Sequence, residues 1–246
     1  MPELPQPAIA FFDVDNTLMQ GASLYHVGVG AWRRRLITAR DVFAFGWKQA
    51  RFVAVGENRR HLDTIRERAL ELAVGRHRSE VIQLANDVFD ERLVPHLWPE
   101  TVALAQEHVA AGREVWLVTA TAQEVADVIV ARLGLTGALG TVLESVDGVY
   151  TGRLIGTVLH GQHKADAAET RAAVSGVDLA DCWAYSDSRH DIPLLNLVGN
   201  PVVVNPDATL RRYAIARAWP VMTTRPETLR ETRRAATDRS ERSKKR

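Results

Sequence analysis

The segment Phe11-Phe12-Asp13-Val14-Asp15-Asn16-Thr17 places two carboxylates two positions apart at the end of an apolar run. Residues i and i+2 of an extended chain point the same way, so Asp13 and Asp15 can converge on one small volume. Like charges that close are costly unless a cation or a shared proton relieves them. A bound Mg²⁺ would do so, and would also draw phosphoryl oxygens toward the same point. The plain alternative is an Asp-rich turn after a strand, since Asp and Asn favour turns. Three further groups follow in order. Val115-Trp116-Leu117-Val118-Thr119-Ala120-Thr121 reads as a buried strand ending in hydroxyls. Thr121 and Glu124 have the spacing of a capping box opening a helix Gln123 to Leu133, which puts Thr119 where a strand feeds a helix N-terminus, a place suited to phosphate. Lys164 comes next, after the loop His160-Gly161-Gln162-His163 and at an Ala-rich helical stretch. Last is Cys182-Trp183-Ala184-Tyr185-Ser186-Asp187, a strand ending in an acid, followed by Asp191 and a helix-like Ile192 to Val198.

The elements that must position these groups are legible as a pattern. Strand-like runs at Ala8 to Asp13, Glu114 to Thr119, Asp181 to Ser186 and Pro201 to Val204 alternate with helical periodicity, the signature of βα units and a parallel sheet. Ligands on such sheets bind beyond the carboxyl ends of the strands, where or beside which all four groups lie. Between the first strand and a helix opened by Pro99 stands a long segment with helical periodicity. It reads as four helices, near Ser23 to Arg34, Thr38 to Val55, Glu57 to Val74 and Ser79 to Arg92, with breaks at Gly56 and Gly75. Inserted directly after Asp13 and Asp15, it would hang over them as a lid and selector. The expected organisation is a core of residues 1–20 and 97–222, a helical cap of 21–96 and a basic tail of 223–246. From Arg225 onward the tail is poor in apolar residues and is expected to be disordered, with nothing to bury on the core.

Bulk properties exclude several classes. The 246 residues carry 31 basic and 30 acidic side chains, so no global charge commits the chain to nucleic acid or membrane. A single cysteine, Cys182, excludes an intrachain disulfide and fits a reducing cytosol. The first seven residues lack the basic flank and apolar stretch of a signal peptide, and no run approaches the ~18 apolar residues of a spanning helix. A cytoplasmic protein without stable membrane insertion is expected.

The ordered set Asp13-x-Asp15-x-Thr17, Thr119, Lys164 and Asp187-x-x-x-Asp191 resembles the haloacid dehalogenase superfamily of phosphohydrolases. Thr64-Ile65-Arg66-Glu67-Arg68-Ala69-Leu70 and the hairpin Ser145 to Gly152 resemble its phosphoserine phosphatase branch. The resemblance implies an α/β fold, a Rossmann-like doubly wound parallel sheet with an inserted four-helix cap, and a Mg²⁺-dependent hydrolysis of a small phosphate monoester. Asp13 would attack phosphorus and carry an aspartyl-phosphate, while Asp15 would protonate the leaving oxygen and then activate water. Asp13, Asp187 and the backbone carbonyl of Asp15 would hold Mg²⁺. Lys164, Thr119 and the Ala120 amide would hold phosphoryl oxygens, and Asp191 would orient Lys164 or a metal-bound water.

Arg68 matches the family arginine that binds a substrate carboxylate, but Ala22 stands where the family has a glutamate facing an ammonium group. His190 stands where an asparagine is usual, a change bearing on phosphate contacts and pH profile. These departures leave phosphoserine open against a larger anionic phosphoester such as a lipid head group, toward which Arg33, Arg34, Arg35, Arg40, Lys48, Arg51, Arg59 and Arg60 could also turn. A phosphotransferase and a non-enzymatic phosphate-binding scaffold are the rival classes. Other signals fail on inspection. Leu18 and Leu24 replace the glycine and glutamate of a calcium loop, Gly28-Val29-Gly30 lacks a third glycine and a preceding strand, and His160 with His163 is read as a polar loop.

Overall fold

A computed structural model describes residues 7–37, 70 and 73–230. The chain runs β1 (Ile9–Phe12), α1 (Ser23–Arg33), α2 (Arg78–Val88), α3 (Pro99–Ala110), β2 (Glu114–Ala122), α4 (Gln123–Leu133) and β3 (Gly137–Thr141). It continues through β4 (Leu143–Val146), β5 (Val149–Leu154), α5 (Gln162–Ser175), β6 (Trp183–Ser186), α6 (Ile192–Leu197), β7 (Asn200–Val204), α7 (Ala208–Ala216) and β8 (Val221–Met222). The main sheet has six strands in the order β3-β2-β1-β6-β7-β8, with every pairing parallel. With the separate hairpin β4–β5 left out of the count, this is the doubly wound order 3-2-1-4-5-6. The winding reverses at β1, so the crevice at its carboxyl end is where a ligand belongs.

Residue alternation explains the layers. All four residues of β1 are buried, as expected of a central strand covered on both faces. Ile9 and Phe11 belong to one core with Ala165, Ala168 and Ala172 of α5, Leu194 and Leu195 of α6, and Leu210 of α7. Ala10 and Phe12 face the other way, toward Leu84, Ala85 and Val88 of α2 and Val125 and Ile129 of α4. The buried alanines of α5, spaced i, i+3 and i+7, give that helix a flat face that lies close on the sheet.

Within the inserted segment, α1 and α2 pack tightly, since a β-carbon on Gly30 would overlap Val88. Arg34, just past α1, binds Asp87 at 3.1 Å and Glu91 at 2.8 Å. Gly75 takes the left-handed conformation (φ +74°) expected of a break, whereas the helices read over residues 38–55 and 57–74, and Gly56, lie outside the described residues apart from 70, 73 and 74. Leu84, Ala85, Val88 and Phe89 share the sheet's own core, so the packing is continuous from the sheet into this part of the expected cap.

Three expectations are corrected. β3 and β8 are strands that residue pattern did not reveal. The capping box does not form: β2 extends to Ala122, which sits at the helix entry without a side-chain cap, and Glu124 turns instead to Arg78 at 3.0 Å. The tail begins docked rather than free. Leu229 is 2% exposed, and Glu100 accepts from the Arg225 N–H at 3.1 Å and the Thr228 hydroxyl at 2.7 Å. Residues 231–246 lie outside the described residues. No helix among the described residues is long and apolar enough to cross a membrane.

Candidate active site

Asp13 follows β1 directly, and its N–H donates to the Tyr185 carbonyl at 3.0 Å, extending the strand pairing by one residue and fixing where the side chain emerges. The carboxylate is buried. Lys164 reaches it from the first turn of α5, with Nζ 2.6 Å from Asp13 Oδ1 and 2.8 Å from Asp191 Oδ2. Gly161 makes that approach possible, because it enters the helix at φ +58° and faces the His190 carbonyl. Asp191 is held in turn by the Ser186 hydroxyl, which donates to Oδ2 at 2.8 Å and accepts from the Ser188 N–H at 3.1 Å.

The Thr17 hydroxyl stands between two acids, donating to Asp13 Oδ2 at 3.3 Å with Asp187 Oδ1 at 3.5 Å. Asp15 is held separately. Its Oδ1 accepts from the Ser23 N–H at 2.8 Å, at the N-terminus of α1, where unpaired amides favour an anion. The turn between them is closed by Asn16, which takes φ +58° and accepts from the Gly21 N–H at 3.0 Å. On the other flank Thr119 is buried, and its hydroxyl accepts from the Thr121 N–H at 3.2 Å. The β2–β3 register shifts between Val118 and Ala122, an irregularity that re-aims this strand end beside the acids.

The electrostatics follow from burying more negative charge than positive. Burial pushes Asp13 up to about 7, with the Asp191 and Asp15 charges adding and Lys164 opposing. Burial, then Asp13 and Asp191, push Asp187 up to about 8. Burial also raises Asp15. Burial works against the Lys164 ammonium, but Asp13 and Asp191 outweigh it and hold that group charged, above the ordinary lysine range. Four carboxylates therefore face one ammonium. Among the described residues no three His, Cys, Asp or Glu side chains form a ready-made metal cage. Mg²⁺ does not require one, since it retains waters and takes one or two carboxylates. Asp13 and Asp187, converging on one hydroxyl in a site short of positive charge, suit a hard cation of that kind.

The structure thus brings Asp13, Asp15, Thr119, Ala120, Lys164, Asp187, His190 and Asp191 to one cavity of about 420 Å³. Ala22 lines the same cavity, and the His190 ring lies 4.9 Å from that of His160. Arg68 lies outside the described residues. Sequence reasoning passed over Ser186, Ser188 and the Ser23 amide, and assigned Thr17 no role although its motif contained it. Their positions beside Asp187 and at the start of α1 were the available signal.

Known proteins resemble this chain over most of its length. A family model for haloacid dehalogenase-like hydrolases matches residues 10–196. Phosphoserine phosphatase SerB1 of Mycobacterium tuberculosis is 48% identical over 221 residues, which are 89% of this chain and 72% of that protein. Histidinol-phosphatase of Neisseria meningitidis is 31% identical over 218 residues, 87% of this chain and 97% of its own. A crystal structure of a Bordetella pertussis protein of unknown function has a TM-score of 0.77 at 29% identity, covering 88% of this chain and 98% of that one.

Proposed function

The chain belongs to the haloacid dehalogenase-like hydrolase family, and on that premise we propose that it is a Mg²⁺-dependent phosphatase of small phosphate monoesters working through an aspartyl-phosphate on Asp13. One observation carries the reading. Lys164 Nζ bridges Asp13 and Asp191 at 2.6 and 2.8 Å, while Asp15, two residues on, is held apart from that pair by the Ser23 amide. A nucleophile needs a neighbouring cation to stay ionised in a buried site. A group that gives a proton and later takes one back needs a fixed place of its own. The two relatives named for phosphatases act, by their names, on different alcohols, which supports the bond cleaved more than the group released.

In this reading an Asp13 carboxylate oxygen forms a bond to phosphorus as the bond to the leaving oxygen breaks. Asp15, which burial raises in the direction a proton donor needs, supplies the proton to that oxygen. A water then attacks phosphorus, its proton returns to Asp15, and the bond from phosphorus to Asp13 breaks. Lys164 and the Thr119 hydroxyl hold phosphoryl oxygens, with the Ala120 amide beside them. When bound by Asp13, Asp187 and the Asp15 carbonyl, Mg²⁺ supplies neutralisation of the spread phosphoryl charge.

The test is turnover of an aryl phosphate. Excess chelator should stop it. Asp13→Asn should abolish it, whereas Asp15→Asn should give one stoichiometric burst and then near-arrest, because an aryl leaving group needs little protonation while water still needs a base. Wild-type activity in Asp13→Asn, or full turnover in chelator, would refute the reading.

A further inference from the structure

The cavity that opens at Asp13 has two unlike kinds of lining. One is charged, built from the acids and Lys164 at the strand ends. The other is apolar, built from Leu24 of α1, Val81 of α2, Leu143 of β4, Leu154 of β5 and Val158. These five residues belong to neither hydrophobic core, and each is only half-buried. On α2 the contrast is direct, since Ala85 and Val88 pack fully against the sheet and do not line the cavity. Four elements therefore each give up an apolar side chain to a space continuous with the reacting carboxylate. At about 420 Å³ the whole cavity, charged lining included, falls within the range of roughly 300–1,000 Å³ typical of sites for organic ligands.

Other residues of the lining argue the same way. Ala22 lines the cavity without a side-chain acceptor, and its carbonyl is taken by the Tyr25 N–H at 3.1 Å. Arg76 and Glu80 face each other at 3.8 Å, and Arg76 also donates to the Leu36 carbonyl. An amino alcohol such as serine would bring its ammonium group against the aliphatic part of this lining, where Glu80 already faces Arg76, whereas an apolar alcohol loses no hydration of its own there.

We propose that the leaving group of the true substrate is an apolar alcohol, seated among Leu24, Val81, Leu143, Leu154 and Val158 while its phosphate lies at Asp13. This rests on the phosphatase reading and names the substrate class that reading leaves open.

The test compares kcat/KM in Mg²⁺ for methyl, butyl and octyl phosphate with that for phosphoserine. Selectivity should rise about two- to fourfold per methylene until the cavity is filled, with octyl phosphate well above phosphoserine. Val81→Asp should lower the octyl-to-methyl ratio by more than about tenfold, Leu24→Asn on a different helix should lower it too, and Val81→Ile should retain it. A ratio indifferent to chain length, or phosphoserine as the better substrate, overturns the inference and returns the leaving group to the carboxylate-reading role that resemblance gives Arg68. If no ester is turned over, the phosphatase reading fails instead, and the cavity is judged by calorimetry. Octylphosphonate binding at least about tenfold tighter than methylphosphonate, with a negative heat-capacity change, upholds it; equal affinities overturn it.

Discussion

Lys164 stands in the first turn of α5, where the helix dipole disfavours a cation, and Asp13 and Asp191 hold it there at 2.6 and 2.8 Å. Such a local violation is expected where function outweighs stability. The same crowding has a measurable consequence. With Asp13 at about 7 and Asp187 at about 8, both carboxylates carry protons part of the time at neutral pH in the cation-free protein. A cation must displace those protons, so Mg²⁺ affinity should rise with pH from about 6 to 8. Calorimetry at pH 7 in buffers of different ionisation enthalpy should find on the order of one proton released per ion, falling toward none above pH 9. No release at pH 7 would contradict the buried-acid electrostatics. Ser186 bears on the same network through Asp191. Ser186→Ala removes a hydrogen bond to a charged group, roughly 1.5–3 kcal/mol, and should lower kcat about tenfold with little change in KM. A rise in KM alone would place Ser186 in substrate binding instead. The charged members of this site were legible because acids at strand ends and a lysine in fixed order are an unusual combination. The hydroxyls were not, because Ser and Thr occur at strand ends for many reasons.

At the scale of elements, the legible strands were those whose burial leaves a run of apolar residues, as in β1 and β6. β3 reads Gly-Ala-Leu-Gly-Thr, with only Ala138 and Thr141 buried, and it is a strand because β2 offers it an edge rather than through a pattern of its own. β8 is two residues long and gives no pattern to read. The capping box failed for a tertiary reason, since a buried carboxylate at Glu124 gains more from the Arg78 guanidinium than from a backbone amide. α3 meets the sheet through a polar contact that periodicity could not reveal: the His108 ring lies 2.8 Å from the Tyr185 hydroxyl. Burial, with the Arg113 charge beside it, lowers His108 to about 4. The unfolded chain, with histidine near 6.5, therefore binds the extra proton between those values, and stability is lost as pH falls through that window. His108→Gln keeps a hydrogen-bonding side chain without the titration. Between pH 7 and 4.5 the wild type should lose roughly 2–3 kcal/mol more than this variant in denaturant melts. Parallel losses would show that His108 is not the titrating group.

The described residues form two cores on the faces of one six-stranded sheet, with the crevice at the reversal of winding. That much followed from βα alternation. What composition misjudged was the end of the chain, where a single leucine inside a polar segment docks. Truncation after Arg230 should leave stability unchanged, whereas truncation after Thr224 exposes the Leu229 site and frees Glu100, lowering Tm by roughly 5–10 °C. Equal melting of the two truncations would show that Leu229 adds nothing. The bond from the Ser23 amide to Asp15 ties the start of α1 to the strand-end acids. The inserted segment begins with the very helix end that orients the proposed acid, so the part proposed to choose the substrate and the part proposed to move the proton are not separate modules. Exchanging this segment between relatives, as a shortcut to new selectivity, would also reset the proton donor. Grafts that keep residues 15–23 native should retain turnover while their selectivity follows the donor, and grafts cut at residue 21 should fail on every ester.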